Sequence, residues 1–486
     1  MATAQWLPGR LLYSRGKRCC SKEKMMKKFS ISLLLFFVFG ATWSQSIDTL
    51  DFESFQVWVR TYHPVASQAE INLRMGDMEV RQARGGFDPK IYGTLDRKEF
   101  KNSSYYDRQE AGISIPTWAG VELNGTFERN SGQFLNPEAS VPSDGLFAVG
   151  AAINLGQGLI IDERRAALRQ AQIYQESTIS QREQLLNELY FEASDAYWKW
   201  ALAHENVIVL NEGVELAKIR FEGVKISHQL GDLPAIDTVE AFSQLLNRQY
   251  SLQSAENAYF GSIQALNTFL WGEEGEPMFL EEGVFPQGLF EAFMLILEKE
   301  DLRAAIASHP LLEIADFELA SLGVERRLKS QQILPVVKLK YNFLTETLNN
   351  FESPFFENNY KWGVSVYTPL LWRKSRGALG LANAKIDFKQ YSRNLKEIEL
   401  RTKLEAEINS LEVVGTQITI FSQNITSLEM LLNGEMRRFE IGESSLFLVN
   451  AREVSLFSSR LTLNDLVSKR RINFAKTRFA AGLGFE

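Results

Sequence analysis

Cysteine is all but missing from this chain: the only two are Cys19 and Cys20, so nothing downstream of them can form a disulfide or offer a thiolate to a metal. Histidine is nearly as scarce. The four, at positions 63, 204, 228 and 309, form no HxxxH pair, and no Gly-x-x-x-x-Gly-Lys-Ser/Thr loop is present to cradle a nucleotide. Neither catalytic nor cofactor chemistry is therefore expected. Proline is absent between Pro142 and Pro234, and again from Pro369 to the end. Tracts of that size favour very long helices, because an interior proline costs ~3 kcal/mol. Basic charge is short as well. Residues 1–44 hold eight Lys/Arg and one Glu, and the remainder has 45 basic and 59 acidic residues, a net charge of −14. So acidic a chain is a poor partner for nucleic acid. Finally, only one long apolar run occurs, and it is too short to span a bilayer as a helix.

That run, Ile31 to Trp43, follows Lys27-Lys28 and ends in Thr42-Trp43-Ser44, with small residues at −3 and −1 of a signal-peptidase site. Residues 26–44 are thus expected to be a signal peptide, with Gln45 first in the mature chain; residues 1–25 fit no part of a signal peptide, which makes Met26 a candidate true start and 1–25 a candidate untranslated segment. Both cysteines precede the apolar run, so neither can carry a lipid anchor. An exported chain with no further apolar helix can cross a membrane only as a closed barrel.

An internal repeat organises the rest. His63-Pro64 recurs as His309-Pro310 and Pro89 as Pro335, both 246 residues on. Gly150-Ala151-Ala152-Ile153 is answered by Gly363-Val364-Ser365-Val366 after 213, and Gly231 by Gly442 after 211. The first copy, residues 45–286, therefore holds 33 residues that the second, 287–486, lacks, and they fall between about 100 and 145. Strand-like alternation follows each proline. Val337, Leu339, Tyr341 and Phe343 alternate with polar neighbours, as do Trp362, Val364 and Val366, and Val121, Leu123 and Phe127 inside the insertion. Heptads follow the strands. Leu186, Ala193, Trp200, Val207, Val214 and Phe221 recur every seven residues, accompanied by Leu189, Ala196, Ala203, Leu210, Ala217 and Val224. Leu245, Leu252, Tyr259 and Leu266 continue the pattern after Pro234, and Leu404 through Phe439 repeat it in the second copy. A helix from Asp162 to His228 would be ~100 Å long, deeper than any globular core.

Taken together, this order (signal peptide, short helix ending in His-Pro, helix, Pro, strands, long helical hairpin, the unit occurring twice) resembles the TolC family of outer-membrane efflux proteins. The likeness runs from Phe52 to Phe479. Its most specific parts are the hairpin turns, Gly231-Asp232-Leu233-Pro234-Ala235 and Gly442-Glu443-Ser444-Ser445, which look like the family's periplasmic tips. As turns they also make physical sense. Glycine suits the positive φ after a helix, Pro234 the first turn of the returning one, and Asp232 or Ser444 a cap.

The resemblance implies an α+β membrane protein: a homotrimer whose protomers each give four strands to one shared β-barrel and long helices to a tapering α-barrel. Short helices near His63 and His309 would form an equatorial belt with Trp271 to Leu297. It further implies a passive duct of a tripartite efflux or type I secretion system in a Gram-negative outer membrane. A periplasmic adaptor would dock at the tips, an inner-membrane pump would supply the energy, and no cofactor would be needed. The family's entrance carries acids just beyond the second tip glycine. Here Leu446, Phe447, Leu448, Val449 and Asn450 fill that stretch, while Asp237 and Glu240 sit at the matching places of the first tip. The gate candidates are therefore leucine, Leu446 or Leu448, or acid, Asp237 and Glu240. Whether the insertion adds wall strands or an extracellular hairpin stays open. A periplasmic coiled-coil adaptor or scaffold would explain the helices but not the strands, and a porin would need more strands and fewer heptads.

Overall fold

A computed structural model describes residues 49–291, 298–346 and 359–485. The expected signal peptide and the end of the expected belt segment, residues 292–297, lie outside them. In chain order, the short strand β1 (Thr49–Leu50) leads into α1 (Phe52–Tyr62) and α2 (Pro64–Arg84). Four strands follow: β2 (Lys90–Phe100), β3 (Ser103–Pro116), β4 (Val121–Ser131) and β5 (Leu146–Asn154). Next come α3 (Glu163–Leu230), α4 (Ala235–Asn267) and β6 (Phe285–Pro286), which pairs in parallel with β1. The second half repeats the unit with α5 (Lys299–Ala305), α6 (Pro310–Gln331), β7 (Val336–Thr345), β8 (Tyr360–Tyr367), α7 (Arg373–Glu440) and α8 (Leu446–Ala481).

The two long helices, α3 and α7, are each 68 residues, ~100 Å, as the proline-free tracts require. Asp162 starts α3 by accepting the amide of Arg165. The heptad apolar set is what α3 buries: Leu189, Ala193, Ala196, Trp200, Leu210, Val214, Ala217 and Val224 are all inside. Along its first half α3 packs between α2 and α6, and along its second half between α4 and α8, while α7 packs on α6 and then on α8. The helices thus form an open row, α2–α3–α6–α7 near the strands and α4–α3–α8–α7 towards the turns.

Midway, Phe55 and Val59 of α1, Leu266 of α4 and Leu289 close over Tyr197, Trp198 and Trp200 of α3. This is the largest apolar cluster, and it lies where the belt is expected. His63 and His309 explain the repeated His-Pro pair. Each ring Nδ1 accepts the amide two residues on, Val65 at 3.2 Å and Leu311 at 3.1 Å, while the proline occupies the first helical position, where no amide is needed.

The sheet corrects one expectation. It has six strands rather than four, in the continuous antiparallel order β2-β3-β4-β5-β7-β8. The insertion supplies β3 and β4, which pair with each other from Asp107 and Ser131 to Pro116 and Glu122 and are flanked in the same sheet by β2 and β5.

Candidate functional site

Two regions follow from this architecture, the strand wall and the hairpin tips. In the wall, the register fixes which side chains share a face, because paired residues point the same way. One face gathers Ile91 with Ile113, Ile115 with Leu123, Phe127 with Phe147, Val149 with Phe343, Leu339 with Val364, and Tyr341 with Trp362. The other gathers Thr94 with Glu110, Ser114 with Asn124, Asn124 with Gly150, Gly150 with Asn342, and Lys340 with Gly363. One side is apolar across all six strands and the other polar and charged. The apolar side lies open, with Ile91, Leu95, Val149, Trp362, Val364 and Val366 all exposed. At the end far from the helices it is rimmed by aromatics, Phe127 against Phe147 at 4.6 Å and Tyr341 stacked on Tyr360 at 6.0 Å. At the near end Trp118, Leu370 and Leu371 stand exposed. An apolar band between rims of this kind is the signature of a lipid-facing sheet. Among the described residues no helix is long and apolar enough to cross a membrane.

At the tips, Gly231 (φ 92°) and Gly442 (φ 78°) end α3 and α7 with the same geometry. The Gly231 amide donates to His228 O and the Asp232 amide to Ser227 O. The Gly442 amide donates to Phe439 O and the Glu443 amide to Arg438 O. Both are Schellman ends, which need a left-handed residue, hence glycine. The caps are not those expected. Pro234 and Ser445 are the N-cap residues and make no side-chain cap bond. Asp232 lies two residues before the first of these N-cap positions. Ser444 instead donates to Glu435, a buried carboxylate that Arg452 also approaches at 3.7 Å. Leu233 packs inward against Val224, Ala241 and Leu446, whereas Ala235 and Glu443 are exposed.

The four gate candidates separate clearly. Leu446 is 2% exposed, wedged between Val224 and Ala241, and has no surface to present to a channel axis. Leu448 is 40% exposed beside the still more open Phe447. Glu240 accepts from Asn450 Nδ2 at 3.0 Å, and Asp237 sits half-buried in the first turn of α4. Sequence reading missed a neighbouring cluster. Arg220 of α3 is ion-paired to Glu453 of α8, whose side chain is 7% exposed, and donates to Asn450 at 3.4 Å. With Glu240 this ties α3, α4 and α8 together one turn or more above the tips. Its partners lie over 200 residues apart, and no local spacing reveals them. Among the described residues, no group of three or more His, Cys, Asp or Glu is placed to hold a metal ion.

No family model and no curated protein matches the sequence. Solved structures do match in shape. The outer-membrane protein VceC of Vibrio cholerae superposes with a TM-score of 0.64 over 89% of this chain and 96% of its own, at 14% identity. The MtrE outer-membrane channel of Neisseria gonorrhoeae, in its open state, gives 0.64 over 92% and 94%, at 13% identity. For the CmeC outer-membrane channel of Campylobacter jejuni the values are 0.63, 88% and 85%, at 12%. The chain therefore has the fold of the TolC-type outer-membrane channels.

Proposed function

We propose that three copies of this chain close into a passive duct that crosses the outer membrane as a β-barrel and the periplasm as a helical barrel. The observation that carries this reading is that both layers of the protomer are open rows whose two ends match. The outer strands β2 and β8 have exposed side chains throughout, run antiparallel to one another and so can pair edge to edge. Directly beneath, α2 ends the helical row on the β2 side and α7 on the β8 side, since α2 feeds β2 and β8 feeds α7. Along α7 a heptad stripe of Leu381, Phe388, Tyr391, Leu395 and Ile398 is exposed, Phe388 to 77%. On α2, Ile71, Met75 and Met78 are exposed and line a groove with Ala171 and Tyr174 of α3 and Ser321 of α6. The apolar stripe on α7 and the exposed apolar residues of α2 suit a head-to-tail contact, and three such contacts related by a threefold rotation would close a ring.

In this reading residues 26–44 are removed on export, and the chain resides in the outer membrane of a Gram-negative cell, its wall facing lipid. An adaptor docks on the tips at Gly231 to Ala235 and Gly442 to Ser445, and an inner-membrane pump drives a tripartite efflux or type I secretion assembly. Leu448, the exposed leucine of the second tip, supplies the constriction, threefold and closed by exclusion of water. Fractionation tests the membrane half directly: the protein should resist carbonate extraction and require detergent for release. Release by carbonate alone would favour a periplasmic coiled-coil scaffold instead.

A further inference from the structure

The insertion in the first repeat is not decoration on a four-strand unit, because its side chains obey the same two-faced rule as the rest of the wall. Ile113, Ile115, Leu123 and Phe127 continue the lipid-side band, and Glu110, Ser114, Asn124 and Glu128 the polar face. An extracellular flap would have no reason to keep one face apolar in register with strands on both sides of it. The polar faces even interlock across it, Asn124 Nδ2 donating to Asn342 Oδ1 at 3.0 Å two strands away.

We propose that the membrane pore of this protein is an eighteen-stranded barrel, closed where β2 of one copy pairs with β8 of a second copy of the chain, and that β3 and β4 widen it. This rests on the trimer reading above. Six strands per copy is even, so every seam is antiparallel and no parallel pair is forced at closure. With strands ~4.8 Å apart and tilted ~40°, eighteen close at a backbone radius of ~18 Å and twelve at ~12 Å. A barrel of that size leaves an aqueous channel rather than a side-chain-filled core. Lys338, Lys340 and Lys361 from β7 and β8 share the polar face with Glu110, Glu122 and Glu128 from β3 and β4. Its bore is wide and charged, suited to hydrated solutes, and the limiting width of the duct falls at the tips.

Pulsed electron-electron spin resonance on the full protein in lipid nanodiscs tests this, because spin number and spin distance are read separately. Gly363→Cys and Val364→Cys, with Cys19 and Cys20 replaced by serine, place nitroxides on opposite faces of β8 and bracket the backbone. Equivalent positions in three copies should stand ~31 Å apart for eighteen strands but ~21 Å for twelve. The expected result is three-spin modulation depth with the longer distance. Three spins at ~21 Å would overturn the eighteen-stranded barrel and leave the trimer standing, whereas a spin count other than three would overturn both. In the same background, Asn124→Cys should react with a membrane-impermeant thiol reagent and Leu123→Cys should not. Reaction at both would put the hairpin outside the wall.

Discussion

At the scale of single residues, the most informative side chains are polar ones held in apolar places. His309 is 2% exposed, and burial, with lesser repulsion from Lys403 and Lys396, pushes its pKa down to about 4. Nδ1 accepts the Leu311 amide only while it carries no proton, so the depressed pKa keeps the cap intact near neutral pH. A histidine depressed in the fold stabilises above its unfolded pKa of 6.5 and loses that contribution as pH falls towards 4, a total of about 3 kcal/mol. His309→Asn keeps an accepting oxygen but removes the titration. Thermal unfolding followed by helical circular dichroism should therefore show a shallower loss of stability between pH 6.5 and 4 than in the parent, and equal slopes would contradict the assignment. Glu453 invites a different test. Glu453→Ala strands the largely buried Arg220 and should cost about 3–5 kcal/mol, whereas replacing both partners by apolar residues should recover most of it. Hydrogen exchange at the amides of Phe221 and Asn450 reads this locally, with faster exchange in the single variant only.

Secondary-structure elements show what sequence can and cannot disclose. The 68-residue helices are plain from missing proline and from heptads, because burying a seam that long demands unbroken periodicity. β7, β8 and β4 are legible because their apolar set is dense. β2 is announced by the alternation that follows Pro89, whereas β3 is not, because Tyr105, Tyr106, Ile113 and Ile115 sit among polar and charged residues without strict alternation, and pairing with neighbours defines it. The tip glycines are legible, since only glycine accepts that φ freely. Their caps are not, since Ser444 serves Glu435, nine residues away, rather than its own helix. Nor is the seam between α3 and α8 readable, where Asn464 donates to Asn206 and Ser468 to the Trp198 carbonyl, polar pins that fix register across the two halves. Between Leu446 and Leu448, burial of Leu446 is what favours Leu448 in the proposed constriction. Leu446→Ser should cost about 2–5 kcal/mol by opening the packing with Val224 and Ala241, leaving conductance of the surviving protein unchanged. Leu448→Ser should raise single-channel conductance in planar bilayers with little change in melting temperature. The reverse pattern would return the constriction to Leu446.

For the molecule as a whole, the account turns on surfaces that one copy cannot cover. In the proposed trimer the exposed apolar heptad on α7, the groove on α2 and α3 and the two free sheet edges are covered by neighbouring copies. Truncating the stripe should expose this dependence: Phe388→Asp with Tyr391→Asp is expected to shift the detergent-purified protein to a single copy, visible by light scattering, with helix content retained. Native mass spectrometry of the unmodified protein released from detergent micelles tests the central claim most directly. The account predicts three copies per particle, with no folded single copy at working concentrations. A monodisperse, fully helical monomer would contradict it.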